Sequence, residues 1–124
     1  ITGAFFLTKK EVLEKVGYFD EDYFMYAEDL DLCYRIKQAG LKVIYLPSTE
    51  AVHFKGISSG LKKHTQKLSG ADLETKQRSL DYFYSTMKIF YQKHLEEKYP
   101  FFINWLVYLG ISLRWWLAKF RLTV

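Results

Sequence analysis

The first half of the chain opens with a nearly unbroken apolar run that leads into a segment of helical spacing. Residues 1–7 form a short run of mostly apolar and aromatic side chains, a pattern that predicts a buried β-strand. Thr8 and Glu11 then have the spacing of a capping box, which predicts the start of a short helix. This helix is expected to run through Val16 and to end where Gly17 adopts a left-handed turn.

A second helix and two more strands are predicted before residue 55. Apolar residues at helical spacing, followed by a glycine, predict a helix from about Glu28 to Ala39. Residues 42–46 and 50–54 are short apolar runs on either side of a Pro-Ser turn, and each predicts a strand. Helices and strands in this order predict an α/β arrangement.

The second half is patterned as a loop followed by helices. Residues 55–71 are rich in glycine, serine and lysine without periodicity, which predicts a mobile loop. Asp72 is placed to begin a long helix to about Tyr99, where Pro100 breaks it and can serve as the first residue of the next helix. The last segment has an apolar run that ends at Leu113, followed by tryptophans among arginines and lysines.

Composition and charge limit the class of protein. The 124 residues suit one core, with or without a helical appendage, and 19% aromatic residues exclude low-complexity disorder. Residues 1–55 carry seven basic against nine acidic side chains, and residues 56–124 carry eleven against five. The acidic half suits a metal and a general base, whereas the basic half suits phosphate or an anionic surface. Cys33, the single cysteine, is expected to be an inert thiol.

The acidic segment admits several interpretations. From Asp20 to Asp31 there are six carboxylates and no basic residue. They can simply favour the positive end of the second helix, an effect of about 0.3–1 kcal/mol per charge, and Asp31 can pair with Arg35 one turn later. A calcium-binding hand is excluded because Met25 stands where a glycine is required and Phe24 stands at a ligand position. Alternatively, one carboxylate accepts a hydroxyl proton, with the aromatic side chains of the loop against sugar rings.

The histidine and the C-terminal segment are also open to more than one interpretation. His53 ends a predicted strand, where an imidazole is either a hydrogen-bonded structural group or a metal ligand. The stretch from Pro100 to Ala118 is nearly long enough to span a bilayer, but Arg114 interrupts it. Tryptophan and tyrosine beside basic residues are typical of the water–lipid boundary. Packing on the core, peripheral membrane attachment and a spanning helix all remain open.

Short motifs in about the first sixty residues occur in a distinctive order. They are Gly3–Leu7, Val16–Glu21, Phe24, Glu28–Arg35, Ala39–Gly40 and His53–Ser58. This ordered set resembles the later half of a family-two inverting glycosyltransferase of the GT-A fold, in particular the bacterial rhamnosyltransferase-like members. The resemblance implies a partial GT-A (Rossmann-like) mixed sheet with helices, in which residues 1–60 form the acceptor-side catalytic half. Residues 61–124 would be a loop and an α-helical C-terminal extension.

The resemblance also implies roles for individual residues. Asp29 would act as general base on the acceptor hydroxyl, and Asp31 with Arg35 would brace the helix. The residues that would shape the acceptor site are Glu28, Phe24 and Tyr26. Transfer would proceed from a nucleotide-sugar donor to a glycan, polysaccharide or lipid-linked acceptor.

A metal and a phosphate-binding loop are implied in the same way. His53 would join a divalent cation, Mg²⁺ or Mn²⁺, that also holds the donor diphosphate, because oxygen ligands with one imidazole suit these ions. The other ligands would come from residues absent from this chain. A flexible loop that closes over phosphates would comprise Gly56, Ser58, Ser59, Lys62 and Lys63.

The family's donor-binding half, with its Asp-x-Asp motif, has no counterpart in the chain. Residues 20–22 and 29–31 match that string, but both are already placed elsewhere in the family pattern. Since residue 1 is not methionine and begins an apolar run, we expect the chain to be the later part of a larger enzyme and to be inactive alone. The expected location is cytoplasmic, peripheral at the inner face of the plasma membrane.

Two other classes of protein compete with a transferase as interpretations of the sequence. A non-catalytic membrane-associated or scaffolding module is the alternative, supported by the aromatic, basic C-terminal segment. Nucleic acid is not expected as a partner, because the basic charge is spread along helices without a recognisable motif. The sequence leaves the oligomeric state open.

Overall fold

The computed structural model describes residues 3–48, 50, 52 and 72–123, and the regular secondary structure within these residues is helical. The four α-helices are α1 (Lys10–Val16), α2 (Glu28–Gln38), α3 (Leu73–His94) and α4 (Phe101–Thr123). Short 3₁₀ turns lie at Gly3–Phe5 and Glu96–Lys98. The chain divides into two compact units, Ile1–His53 and Phe54–Val124.

The predicted α/β fold class, a partial GT-A mixed sheet, is wrong for the described residues, which contain no strand. The first predicted strand is replaced by the 3₁₀ turn Gly3–Phe5. Residues 42–46 have no regular structure, and Ile44 and Tyr45 are 69% and 79% exposed. Of the third predicted strand, Glu50 and Val52 are described, and neither lies in a regular element. A strand needs a neighbouring strand for its backbone hydrogen bonds, and no described segment supplies one.

Helix α1 begins and ends differently from the prediction. Its N-terminal flanking residue is Lys9, which makes no side-chain cap, so the capping box expected at Thr8 is not formed. Gly17 ends the helix with φ 81° and ψ 155°, so φ is positive and disfavours a side chain, but the conformation is not the predicted left-handed turn. The chain then leaves the helix toward the acidic loop.

Helix α2 supplies the core of the first unit. Leu32 and Ile36, one turn apart, are buried together with Tyr23 from the preceding loop. Helix α1 packs against α2 with half-buried apolar residues. The core is small, so polar contacts between the helices contribute a large share of the stability of this unit.

The described residues of the second unit form an antiparallel pair of long helices. Asp72 caps α3, as predicted, by accepting the backbone N–H of Thr75 at 2.7 Å. Hydrogen bonding by the side chain of Thr75, and then by its backbone, lowers the pKa of the Asp72 carboxyl. The stabilisation that it gives is therefore present at neutral pH and is lost as the pH falls through the lowered pKa.

Polar contacts join α3 and α4 at both ends of the pair. Near the turn, the Tyr91 hydroxyl donates to Asn104 Oδ1 at 2.7 Å, and the Asn104 amide donates to the carbonyl oxygens of Glu96 and Tyr99. At the far end, Trp115 Nε1 donates to Asp81 Oδ1 at 2.6 Å. The two helices therefore pack along most of their length.

Candidate active site

The backbone immediately before α2 has an unusual conformation. Tyr26 and Ala27 both have positive φ, 69° and 65°, in the left-handed region. For residues with a side chain this region costs roughly 1–2 kcal/mol each. Two consecutive residues of this kind reverse the chain sharply, so that Glu28 and Asp29 emerge on the first turn of the helix. Strain of this kind is concentrated at functional sites, where the surrounding structure maintains it.

Replacing Ala27 by glycine is expected to stabilise the first unit. Glycine relieves about 1–2 kcal/mol of strain in the left-handed conformation. It also makes the unfolded chain more flexible, which lowers the free energy of unfolding by roughly 0.4–1 kcal/mol. The free energy of unfolding should therefore rise by about 0.5–1 kcal/mol in total. Urea unfolding monitored by circular dichroism measures it. Ala39→Gly, where φ is −74°, is the matched control and should lose stability. Equal losses in the two variants would contradict the strain at Ala27.

The carboxylate of Asp29 is held by two backbone donors. Its Oδ2 accepts the N–H of Gly3 at 2.7 Å, and its Oδ1 accepts the N–H of Leu30 at 2.7 Å. A Cβ atom on Gly3 would lie 3.4 Å from Cβ of Asp29, so the backbone approaches the acid closely. A carboxylate has about four lone-pair sites. The two backbone bonds therefore fix its orientation and leave sites for an incoming hydroxyl.

Glu28 lies beside this carboxylate in sequence and is half-buried. Its Oε2 is buried and has no hydrogen-bond partner among the described residues. A buried polar atom without a partner destabilises a protein by about 1–3 kcal/mol. The positive end of a helix stabilises a nearby negative charge by only about 0.3–1 kcal/mol. The position therefore costs stability, as expected for a group that is completed by a ligand.

Asp31 and Arg35 form an ion pair inside the first unit. Asp31 is fully buried, and both Nε and Nη2 of Arg35 lie 2.7 Å from its Oδ2. The same guanidinium donates to the carbonyl oxygens of Val16, Gly17 and Tyr18 at 2.6, 3.1 and 2.8 Å. One side chain therefore ties the end of α1 to α2 and supports the helix that carries Asp29.

The remaining predicted residues divide into described and undescribed ones. Phe24 is 74% exposed and Tyr26 is half-buried, so aromatic surface is available next to the acidic turn. Burial raises the pKa of the Cys33 thiol, which disfavours a reactive thiolate. The residues that lie outside the described part of the chain are His53, Gly56, Ser58, Ser59, Lys62 and Lys63. The proximity of Asp29 and His53 therefore stays a prediction.

The described residues do not fit a metal site by themselves. No three side chains of histidine, cysteine, aspartate or glutamate converge within the part of the chain that the structure describes.

The contact between Gly3 and Asp29 was missed from the sequence. Gly3 lies inside an apolar run that predicts a strand, and strand periodicity carries no information about a partner 26 residues away. The one available signal is the glycine itself, because an isolated glycine in such a run often marks a close backbone approach.

Comparison with known proteins decides the family. The model of glycosyl transferase family group 2 matches residues 1–123. The chain belongs to this family. No solved structure matches this chain.

Curated relatives of this family group 2 chain are sugar transferases. An N-acetylglucosaminyl-diphospho-decaprenol L-rhamnosyltransferase of Mycobacterium tuberculosis is 43% identical over 60 residues, which are 48% of this chain and 20% of the relative. Rhamnosyltransferase WbbL of Escherichia coli is 42% identical over 52 residues, 42% of this chain and 20% of the relative. The low-salt glycan biosynthesis hexosyltransferase Agl10 of Haloferax volcanii is 29% identical over 51 residues, which are 41% of this chain and 17% of the relative. The aligned segment covers a fifth or less of each relative's length.

Proposed function

We propose that the chain forms the acceptor side of an inverting glycosyltransferase, with Asp29 as the general base. The observation that carries this proposal is the carboxylate of Asp29, oriented by the Gly3 amide at 2.7 Å at the end of a strained turn. Family membership supports sugar transfer as the reaction.

The chemistry follows from the position of this carboxylate. An acceptor hydroxyl donates its proton to Asp29 while its oxygen attacks the anomeric carbon of a nucleotide-activated sugar. The bond to the nucleoside diphosphate breaks on the opposite face, and the leaving group takes the bonding electrons, so the anomeric configuration inverts. General-base catalysis of this kind contributes about 10²–10⁴ in rate.

Neighbouring side chains bind and position the acceptor. Phe24 offers an exposed ring to the apolar face of a sugar, and Tyr26 lies next to the acidic turn. Glu28, half-buried beside Asp29 on the first turn of α2, accepts a second hydroxyl of the acceptor through its carboxylate.

A divalent cation, Mg²⁺ or Mn²⁺, is part of the proposal through the family resemblance alone. When bound, such an ion neutralises charge that develops on the leaving diphosphate. His53 is the residue of this chain proposed to hold it, and its position lies outside the described residues.

The donor and acceptor are proposed from the relatives. A nucleotide-activated L-rhamnose or another hexose is the donor, because two of the relatives are named rhamnosyltransferases and one a hexosyltransferase. One relative's name includes a diphospho-decaprenol acceptor, and we extend a lipid-linked acceptor to this chain. We propose accordingly that the enzyme acts at the cytoplasmic face of the plasma membrane.

The proposal is tested by sugar transfer in the protein expressed from the complete reading frame. Membrane lipid extracts are incubated with nucleotide-activated sugars that include an L-rhamnose donor, and labelled sugar in the lipid phase is counted. Transfer from at least one donor, with inversion seen by proton NMR, is expected. Folded protein that transfers from no donor, or that retains configuration, would refute the proposal.

A non-catalytic membrane-binding module is the second candidate. It is favoured by the exposed apolar side of α4, where Trp105 and Phe101 are 63% and 85% exposed. This candidate predicts vesicle binding without any transfer, so the same transfer assay separates the two.

A further inference from the structure

One face of α4 is apolar and exposed along most of the helix. Five large side chains recur on it with alternating intervals of four and three residues and are 39–59% exposed: Phe102, Leu106, Leu109, Leu113 and Trp116. At 3.6 residues per turn they point within about 40° of one direction, over about 21 Å of helix. We call this face the stripe.

The opposite face of α4 is already occupied by α3. Asn104 and Trp115 lie on it and bond to Tyr91 and Asp81 of α3. Ile111, between them, is buried. The stripe therefore points away from α3 and has no partner within the second unit's described residues.

Positive charge flanks the stripe. Helix α4 contains no aspartate or glutamate. By helical geometry, Arg114 and Arg121 lie about 100–120° to one side of the stripe, and Lys119 about 100° to the other. Both arginines line a shallow hollow together with Tyr84, Leu117 and Ala118. An apolar face bordered by cations complements an anionic lipid surface, with acyl chains below and phosphates beside them.

We propose that α4 lies parallel to the surface of an anionic bilayer, with the stripe at the acyl–headgroup boundary and Arg114 and Arg121 on lipid phosphates. This deepens the membrane attachment proposed above and rests on it, but not on sugar transfer. Lys119 is already paired, since its Nζ lies 3.4 Å from Oδ2 of Asp81. Trp116 stacks on Phe120 with ring centroids 6.1 Å apart, which presents a broad aromatic surface of the kind found at this depth.

A spanning orientation conflicts with the packing of the helix pair. Helix α4 contains a segment, Phe101–Leu122, that is long and apolar enough to cross a bilayer by length and composition. Because α3 packs along α4, crossing would carry the charges of α3 into hydrocarbon, where they are costly. These charges belong to Glu74, Lys76, Arg78, Asp81, Lys88 and Lys93. Lying flat keeps the stripe in lipid and α3 on the water side.

A second copy of the chain fits the stripe less well. The spacing of the stripe matches the seam of a coiled coil, in which flanking acidic and basic residues pair between helices. Since α4 has no acidic residue, two stripes in contact would bring cations together without partners on either helix. A bilayer with anionic headgroups supplies the missing negative charge.

The test measures the depth of two tryptophans in the 124-residue chain bound to phosphatidylglycerol-containing vesicles. The signal of Trp116 is the difference between the unchanged chain and W116F, and that of Trp105 is the difference from W105F, so that both variants keep the bond of Trp115 to Asp81. Each signal is quenched by lipids brominated at shallow or deep positions. A flat helix places both at the same shallow depth. A spanning helix separates them by about 16 Å, eleven residues at 1.5 Å each, and would overturn the inference.

Charge variants give an independent readout. Since each basic residue near an anionic surface contributes about fivefold in affinity, R114Q/R121Q should weaken vesicle binding about 30-fold. The matched control is R78Q/K93Q on α3, whose side chains point away from the α4-facing residues Leu80 and Tyr91, and binding should change less than threefold. Equal losses in both pairs would overturn the assigned face.

The outcomes separate the proposals from one another. Absence of binding to anionic vesicles, or self-association that hides both tryptophans, refutes the attachment and the flat orientation together. Binding with unequal depths refutes the orientation alone. Either result leaves sugar transfer to its own assay, because that assay counts transferred sugar and not vesicle binding.

Discussion

Replacing Asp29 by asparagine is expected to lower kcat for sugar transfer by about 10²–10⁴-fold, the usual contribution of a general base. Asparagine has the same size and its side-chain oxygen can still accept the N–H of Gly3, which lies 2.7 Å from Oδ2. It has no useful affinity for a proton, so the acceptor hydroxyl must attack without being deprotonated. The measurement is initial-rate transfer by the protein from the complete reading frame, with circular dichroism as the check on folding.

The control for Asp29→Asn is Glu21→Gln in the same acidic segment. Glu21 is exposed and lies in the loop before α2, so the variant loses an equal charge outside the helix that carries the proposed base. Activity of the control should stay within about twofold, since surface substitutions usually have small effects. Because the base acts in the chemical step, KM should change little in Asp29→Asn. Near-normal kcat in this variant would remove Asp29 from the mechanism.

The helices were predictable because their signals are local. Leu32 and Ile36 are one turn apart, and this spacing predicts a buried face without knowledge of any partner. The helix expected from about Glu28 to Ala39 is α2, Glu28–Gln38, and Asp72 caps α3 as its residue type suggests. The error at Thr8 has the same origin, because capping-box spacing permits a cap but does not ensure it.

The absence of a sheet from the described residues could not be predicted from local signals. Residues 42–46 have the composition of a strand, but a strand exists only through hydrogen bonds to another segment. With Tyr45 79% exposed, the described part of the chain provides no such segment. The family resemblance suggested a sheet for the whole fold, and the described residues do not contain one.

The family was predictable from the order of the motifs, whereas the geometry around Asp29 was not. The order of motifs around Asp29 resembled the family, and the family match confirms that membership. The amide of Gly3 reaches the carboxylate from 26 residues away, and no local pattern encodes that contact. The left-handed Tyr26 and Ala27 were also hidden, because neither residue type favours positive φ.

Replacing Arg35 by methionine is expected to lower the free energy of unfolding of the first unit by about 3–5 kcal/mol, the usual cost of removing one partner of a buried ion pair. Asp31 is fully buried and would lose the guanidinium that lies 2.7 Å from it. Three carbonyl oxygens at the end of α1 would lose their donor as well. Lys37→Met on the same helix is the control; Lys37 is exposed, and its loss should cost less than about 0.5 kcal/mol.

A double variant shows which of the two losses dominates. In Asp31→Leu with Arg35→Met both charges are gone, and apolar replacement of a buried pair is often neutral. If the buried carboxylate carries most of the cost, the double variant recovers most of the stability in urea unfolding. If the tie between Arg35 and the carbonyl oxygens of Val16 and Tyr18 carries it, the double variant stays as unstable as Arg35→Met. We expect partial recovery, because one side chain serves both contacts; a single Arg35→Met variant as stable as Lys37→Met would show that neither supports α2.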